Sequence, residues 1–173
     1  MTPYALEYAE QPCAAVEELA ELRVALARAG LDVPIAADES IRRAQDPLRV
    51  RELAAADLIV VKVAPLGGVR AALAIVEEVG LPAVVSSALD TSVGIAAGVA
   101  LAAALPELRH ACGLGTLTLM ERDVSDRPWT PQAGRLRPGT VSVDPAALAT
   151  LAAAAPRRDW WLERLRRCAE LLL

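Results

Sequence analysis

The polar residues that close a series of apolar runs constrain this chain most. "YALEYAE" ends at Glu10, "VPIAADES" carries Asp38, and "DLIVVKV" carries Lys62. "LPAVVSSA" then carries Ser86 and Ser87, and "HACGLGT" turns at Gly113. These positions follow one another at intervals of 24 to 28 residues. Between them lie segments with apolar residues at helical spacing. Val16, Leu19, Leu22 and Leu26 within Ala14–Gly30 are the clearest set, and Gly30 supplies a stop. Asp46–Ala56 opens with an N-cap aspartate and a proline at the first helical position. Gly67–Gly80 and Thr91–Leu105 are expected helices as well. Strands are expected over Tyr4–Glu10, Val33–Ser40, Asp57–Val63 and Leu81–Ala88, with a short last one in His110–Thr116. This βαβαβαβαβ order predicts an α/β fold whose parallel strands are joined by right-handed crossovers. One unit of a (β/α)8 barrel takes about 30 residues, because the whole barrel needs roughly 250. The intervals fit five such units. An open doubly wound sheet fits the same alternation, but no GxGxxG follows the first strand, which weakens its dinucleotide-binding version.

Composition narrows the partners. Of 173 residues 54% are hydrophobic and none is phenylalanine, so the core of a single domain must be aliphatic. A net charge of −4 without a basic block argues against nucleic acid. The longest apolar stretch, Val93–Pro106, is too short to span a bilayer, so no membrane is expected. The cysteines Cys13, Cys112 and Cys168 are odd in number and far apart, and His110 is the one histidine. Neither a zinc site nor a disulfide framework is expected of them. With no basic leader at the N-terminus, the chain is expected in the reducing cytoplasm. After Thr116 the composition turns to Pro, Gly and polar residues. Residues 1–120 are therefore expected to form a partial (β/α) barrel, and 121–173 an irregular tail. That tail closes with an amphipathic helix, Asp159–Leu173, whose Trp160, Trp161, Leu162 and Leu165 are expected to pack on the barrel or a cap.

In barrels the functional groups stand at the C-terminal ends of the strands. Glu10, Asp38 and Lys62 occupy those ends on three consecutive strands. Two convergent carboxylates can hold a hard divalent cation such as Mg2+. A lysine one strand further on can move a proton or stabilise an anion. Each residue also has a plain reading. Glu10 before a proline can be a solvated strand end, and Asp38 can cap the helix that follows it. Ser86 and Ser87 can be turn residues, and the glycines of "PLGGV" and "CGLGT" can serve tight turns or cradle an anion. Lys62 is hardest to dismiss, because "LIVVKVAP" sets it in a fully apolar run.

"EYAEQP", "IAADES", "IVVKVAPLGG" and "VVSSALDTSVG", in that order and spacing, resemble the enolase superfamily. Within it they are most similar to the o-succinylbenzoate synthase family in its actinobacterial form. The resemblance runs from Leu6 through the "CGLGT" turn and weakly into the terminal helix. It implies a (β/α)7β TIM-type barrel with an α+β capping domain. This chain would supply about strands 4 to 8, without the cap and the first strands. By the same resemblance Glu10 and Asp38 would be Mg2+ ligands, and Lys62 would stabilise an enediolate. Ser86, Ser87, Gly113 and Gly115 would fall where the succinyl end and carboxylate of the substrate bind. The implied reaction is syn-dehydration of 2-succinyl-6-hydroxy-2,4-cyclohexadiene-1-carboxylate, a lyase step of menaquinone biosynthesis. The K-x-K lysine used as general base and the first metal-ligating aspartate have no counterpart here. The chain is thus expected to be a C-terminal portion, inactive alone, with open barrel edges that invite self-association. Alternatives are an N-succinylamino-acid racemase, a dipeptide epimerase or muconate-type cycloisomerase, a non-catalytic half-barrel, and a flavodoxin-like binding module.

Overall fold

The computed structural model describes residues 4–42 and 46–171. Four parallel strands form one sheet in sequential order: β1 (Ala9–Glu10), β2 (Ile35–Ala37), β3 (Leu58–Val61) and β4 (Ala83–Val85). Their register pairs Ala9 with Ile35, Ala36 with Leu58, and Ile59 with Ala83. The crossovers carry α1 (Val16–Arg28), α2 (Asp46–Glu52) and α3 (Val69–Val79), and α4 (Ser92–Ala104) follows β4. Local chemistry sets their ends. The Glu18 carboxylate accepts the Ala15 amide at 3.0 Å and so satisfies a free donor at the start of α1. Gly80 closes α3 in the left-handed conformation at φ 69°, where a side chain would be strained.

The strands are continuous apolar runs, and their residues are buried on both faces of the sheet. Ile35, Ala37, Ile59, Val61, Ala83 and Val85 pack against the helices, with Leu19, Val50, Ala72 and Ile95. Ala36, Leu58, Val60 and Val84 form a second buried layer on the helix-free face, with Tyr8 packed against it. By the period-2 alternation of strands, Glu10, Asp38, Lys62 and Ser86 share this inner face with Tyr8.

The expected last strand in His110–Thr116 is not formed. A single parallel bridge joins Gly113 to Ser86. Gly113 and Gly115 flank Leu114, and glycine weakens a strand interior. The chain turns at once into a 3-10 turn over Thr116–Leu119. The segment also leans back toward β1. The His110 ring sits edge-on to Tyr8, centroids 5.4 Å apart, and its Nδ1 is 2.6 Å from Glu7 Oε1.

Beyond residue 120 the chain is mostly irregular, with two helices, α5 (Pro145–Thr150) and α6 (Ala155–Glu170). Helix α5 was not expected, although Asp144-Pro145 repeats the aspartate–proline start of α2. Asp144 accepts the Ala146 amide at 2.9 Å. Helix α6 begins earlier than expected, and every one of its residues is exposed. The expected packing of Trp160, Trp161, Leu162 and Leu165 on the barrel portion is therefore not seen. Five arginines spread around this helix leave only a narrow apolar stripe, and Trp160 and Trp161 instead stack edge-on with each other at 4.8 Å.

One buried network ties the tail to the start of α4. Asp123 accepts the Ser92 amide at 3.0 Å and also its hydroxyl, while Ser92 Oγ accepts the Trp129 amide at 2.7 Å. Burial pushes the Asp123 carboxyl up. The bonds from Ser92 and from the amides of Val124 and Ser125 outweigh that and leave it below its ordinary 3.8. A depressed carboxylate lends stability that is complete above its unfolded value and is lost as pH falls through the folded one. Asp123→Asn should therefore cost about 1–3 kcal/mol near neutral pH in urea unfolding, and the gap should close as pH falls below 3.8.

Candidate active-site edge

Four strand ends supply this site. Lys62 follows β3 directly, and its ammonium is bonded to Asp38, which follows β2. Side-chain exposure is 11% for Lys62 and 8% for Asp38, so the ion pair is nearly removed from water. Asp38 holds the N-cap position of a 3-10 turn, Glu39–Ile41, yet its side chain makes no capping bond. Its carbonyl accepts the Ile41 amide instead, and its carboxylate is left to meet the lysine. The helix-cap reading of Asp38 therefore fails on geometry.

Glu10 ends β1 and is exposed, as a solvated strand end would be. Its carboxyl nevertheless lies within reach of Asp38. Although Glu10 is exposed overall, the groups around its carboxyl partly shield it from water, and this raises its pKa most; the Asp38 charge adds to it, and Lys62 opposes it. The Glu39 charge raises it further. The phenol of Tyr8 is also pushed up, first by burial and then by Glu10 and Glu7. Two acids and one ammonium from three consecutive strands thus meet on one face.

Ser86 and Ser87 part company. Ser86 is half-buried on the inner face, with Oγ 3.4 Å from the Gly113 carbonyl. Ser87 is buried on the opposite face. Its hydroxyl donates to the Gly113 carbonyl at 2.9 Å and lies 2.7 Å from Thr116 Oγ1. A Cβ at Gly113 would stand 2.6 Å from Ser86 Oγ and 3.2 Å from its Cβ, so a side chain there would force Ser86 to shift. Gly115 has open space around it, with only Pro131 Cγ at 3.7 Å from a Cβ built there. The cavity beside Asp38 and Lys62 measures about 10 Å3, no more than one water needs. A cavity of about 1120 Å3 lies in the tail among Arg127, Trp129, Arg135 and Arg137 and shares no lining residue with the strand-end cluster.

Among the described residues no group of three or more His, Cys, Asp or Glu side chains could hold a metal ion. Glu10 and Asp38 offer hard oxygen donors, and their mutual crowding favours a nearby cation. They suit Mg2+ as part of a ligand set, with fewer donors than a closed site needs.

Sequence reasoning missed Gln11, whose amide ties the end of β1 to the turn after β2. It also passed over a signal in the composition. Lys62 is the only lysine in the sequence, and the other 17 basic residues are arginine.

The chain matches the Enolase C-terminal domain-like family over residues 1–160 and belongs to that family. An o-succinylbenzoate synthase of Mycolicibacterium smegmatis is 59% identical over 167 residues, 96% of this chain and 50% of that protein. The enzyme of that name in Mycobacterium tuberculosis is 56% identical over 168 residues, 97% of this chain and 50% of its own. The chain thus spans about half the length of the curated relatives it matches. Among solved structures, a probable mandelate racemase from Alicyclobacillus acidocaldarius superposes with a TM-score of 0.71 at 31% identity. That match covers 87% of this chain and 41% of the racemase. A muconate lactonizing enzyme from Pseudomonas putida gives 0.70 at 27% identity over 83% of this chain and 42% of its own. The fold is that of the superfamily's TIM-type barrel portion.

Two stability predictions follow from the geometry. Lys62→Met leaves the Asp38 carboxylate buried and unpaired, which should cost about 3–5 kcal/mol in urea unfolding. The double variant with Asp38→Leu should recover most of that loss. Glu10 carries the opposite sign to Asp123. A carboxyl raised in the folded state contributes stability present below its unfolded value, and that contribution is lost as pH rises through the folded one. Glu10→Gln should therefore be more stable than the parent at pH 7, and the gain should vanish below 4.5.

Proposed function

We propose that this chain is the barrel portion of an o-succinylbenzoate synthase, a hydro-lyase acting on 2-succinyl-6-hydroxy-2,4-cyclohexadiene-1-carboxylate in menaquinone biosynthesis in the cytoplasm. The observation that carries this reading is the meeting of Glu10, Asp38 and the sole lysine on one face at the C-terminal ends of the strands. The identity of 56–59% to proteins of that name supports the choice within the superfamily.

In this reading residues 1–120 are the barrel portion and 121–173 the tail. Glu10 and Asp38 would hold Mg2+, which when bound supplies positive charge against the substrate carboxylate. Lys62 directs its ammonium at the oxygens that become negative when the proton α to the carboxylate is removed. A carbon acid of that kind is very weak, so a fixed charge close to those oxygens must supply much of the rate. Hydroxide then leaves and the ring becomes aromatic. Ser86, Gly113 and Gly115 line the next strand end, where the succinyl arm would lie. Ser87 would act through the Gly113 loop, since its hydroxyl is already engaged there. The proton-removing base lies outside these residues, so the chain alone is inactive.

The test is a chimera in which this chain replaces the matching half of the Mycolicibacterium smegmatis synthase. With Mg2+ and the cyclohexadiene substrate it should form the aromatic product, while the isolated chain should form none. In the chimera Lys62→Met should lower kcat by about 10²–10³-fold, the loss typical of one oxyanion-stabilising donor. A chimera that racemises N-succinylamino acids but does not dehydrate would move the assignment to the racemase. An isolated chain that turns over at the chimera's rate would overturn the proposal of a partial site.

A further inference from the structure

Gln11 stands next to Glu10 in sequence and reaches Asp38 in space. Its backbone has φ 39°, a left-handed conformation that non-glycine residues seldom adopt. Such a conformation persists only where the surroundings fix it. The side chain shows what fixes it here. Gln11 Oε1 accepts the Asp38 amide at 2.9 Å and the Ser40 amide at 3.3 Å. Gln11 Nε2 donates to Ser40 Oγ at 2.9 Å and to the Cys13 carbonyl at 2.9 Å. Every hydrogen-bonding atom of the carboxamide is thus engaged, and the partners belong to both strand ends.

We propose that Gln11 is a positioning residue that sets the spacing between the Glu10 and Asp38 carboxylates, and through Asp38 the place of the Lys62 ammonium. This rests on reading Glu10, Asp38 and Lys62 as one site. The turn at Gln11 sends its side chain toward β2 while Glu10 faces the inner side. One residue therefore fixes the backbone of both acids. Asp38 makes no capping bond of its own, so the Gln11 oxygen on its amide is what aims the stretch Asp38–Ser40. Charge plays no part, because the carboxamide is neutral. It can hold two carboxylates close without adding to or cancelling their field.

Lys62 provides the probe, since it is the only lysine. Labelling the full chain with 15N-lysine gives one ammonium signal. That signal survives solvent exchange only while the ammonium is held by Asp38. Gln11 does not touch Lys62, so a merely stabilising role would leave it sharp. Gln11→Met, close in volume but unable to hydrogen-bond, should broaden it beyond detection while far-ultraviolet circular dichroism stays unchanged. Ser87→Ala removes comparable bonds at a neighbouring loop and should lower Tm while leaving the signal sharp. A sharp ammonium signal in Gln11→Met overturns the proposal, and so does equal broadening in Ser87→Ala. Loss of the whole fold in Gln11→Met would show a purely structural role and overturn it too. No sharp signal in the parent chain would instead sink the ion pair, and with it the reading of the site.

Discussion

A strand buried on both faces has one economical place for a charge, which is its end. Burying an unpaired ammonium or carboxylate within β2 or β3 would cost several kcal/mol, and the residues between Leu58 and Val61 are accordingly all apolar and buried. The first position beyond that run is Lys62. Parallel pairing then puts every such end on the same side of the sheet, and alternation sends Glu10, Asp38, Lys62 and Ser86 to the same face. The site is thus a by-product of how a parallel sheet must be covered. Helices over one face leave the other for function.

The ion pair at that edge works against stability in its own way. Nearly dry ion pairs rarely improve on a well-packed apolar pair, and loss of water, then the Asp38 charge, raises the Glu10 carboxyl. A chain selected for stability alone would keep neither Glu10 nor Asp38. Their presence, together with a strained backbone at Gln11, marks the place where local rules yield.

The broad plan was legible because it rests on strong, local signals. Apolar runs with a polar stop at near-constant intervals revealed four strands and their order, and a lysine in such a run marked itself. Other features depend on pairing, which one strand alone does not encode. The fifth strand failed because Gly113 and Gly115 remove the side chains that would stabilise it, leaving one bridge. Ser87 resembled Ser86 until β3–β4 register put them on opposite faces. Gln11 carried no signal of its own, since its partners Asp38 and Ser40 lie 27 and 29 residues away. Helix α5 was readable from Asp144-Pro145, and only the surrounding Pro- and Gly-rich composition hid it.

The sole lysine sharpens the chemical reading. A chain with 17 arginines has no general aversion to guanidinium, yet position 62 keeps an ammonium. Guanidinium is broad, planar and held permanently charged, and it prefers to clasp a carboxylate with two parallel bonds. Against Asp38 such a clasp would lock both groups face to face. An ammonium is a compact charge with three rotatable donors, so it can bond Asp38 with one proton and turn the others elsewhere. Glu10, Asp38 and Lys62 together sum to one negative charge when all are ionised. That sign repels an anionic ligand and attracts a cation. A divalent cation beside the acids would reverse it and leave the lysine's remaining donors facing a positive pocket, the polarity that a carboxylate-bearing substrate of the proposed kind requires.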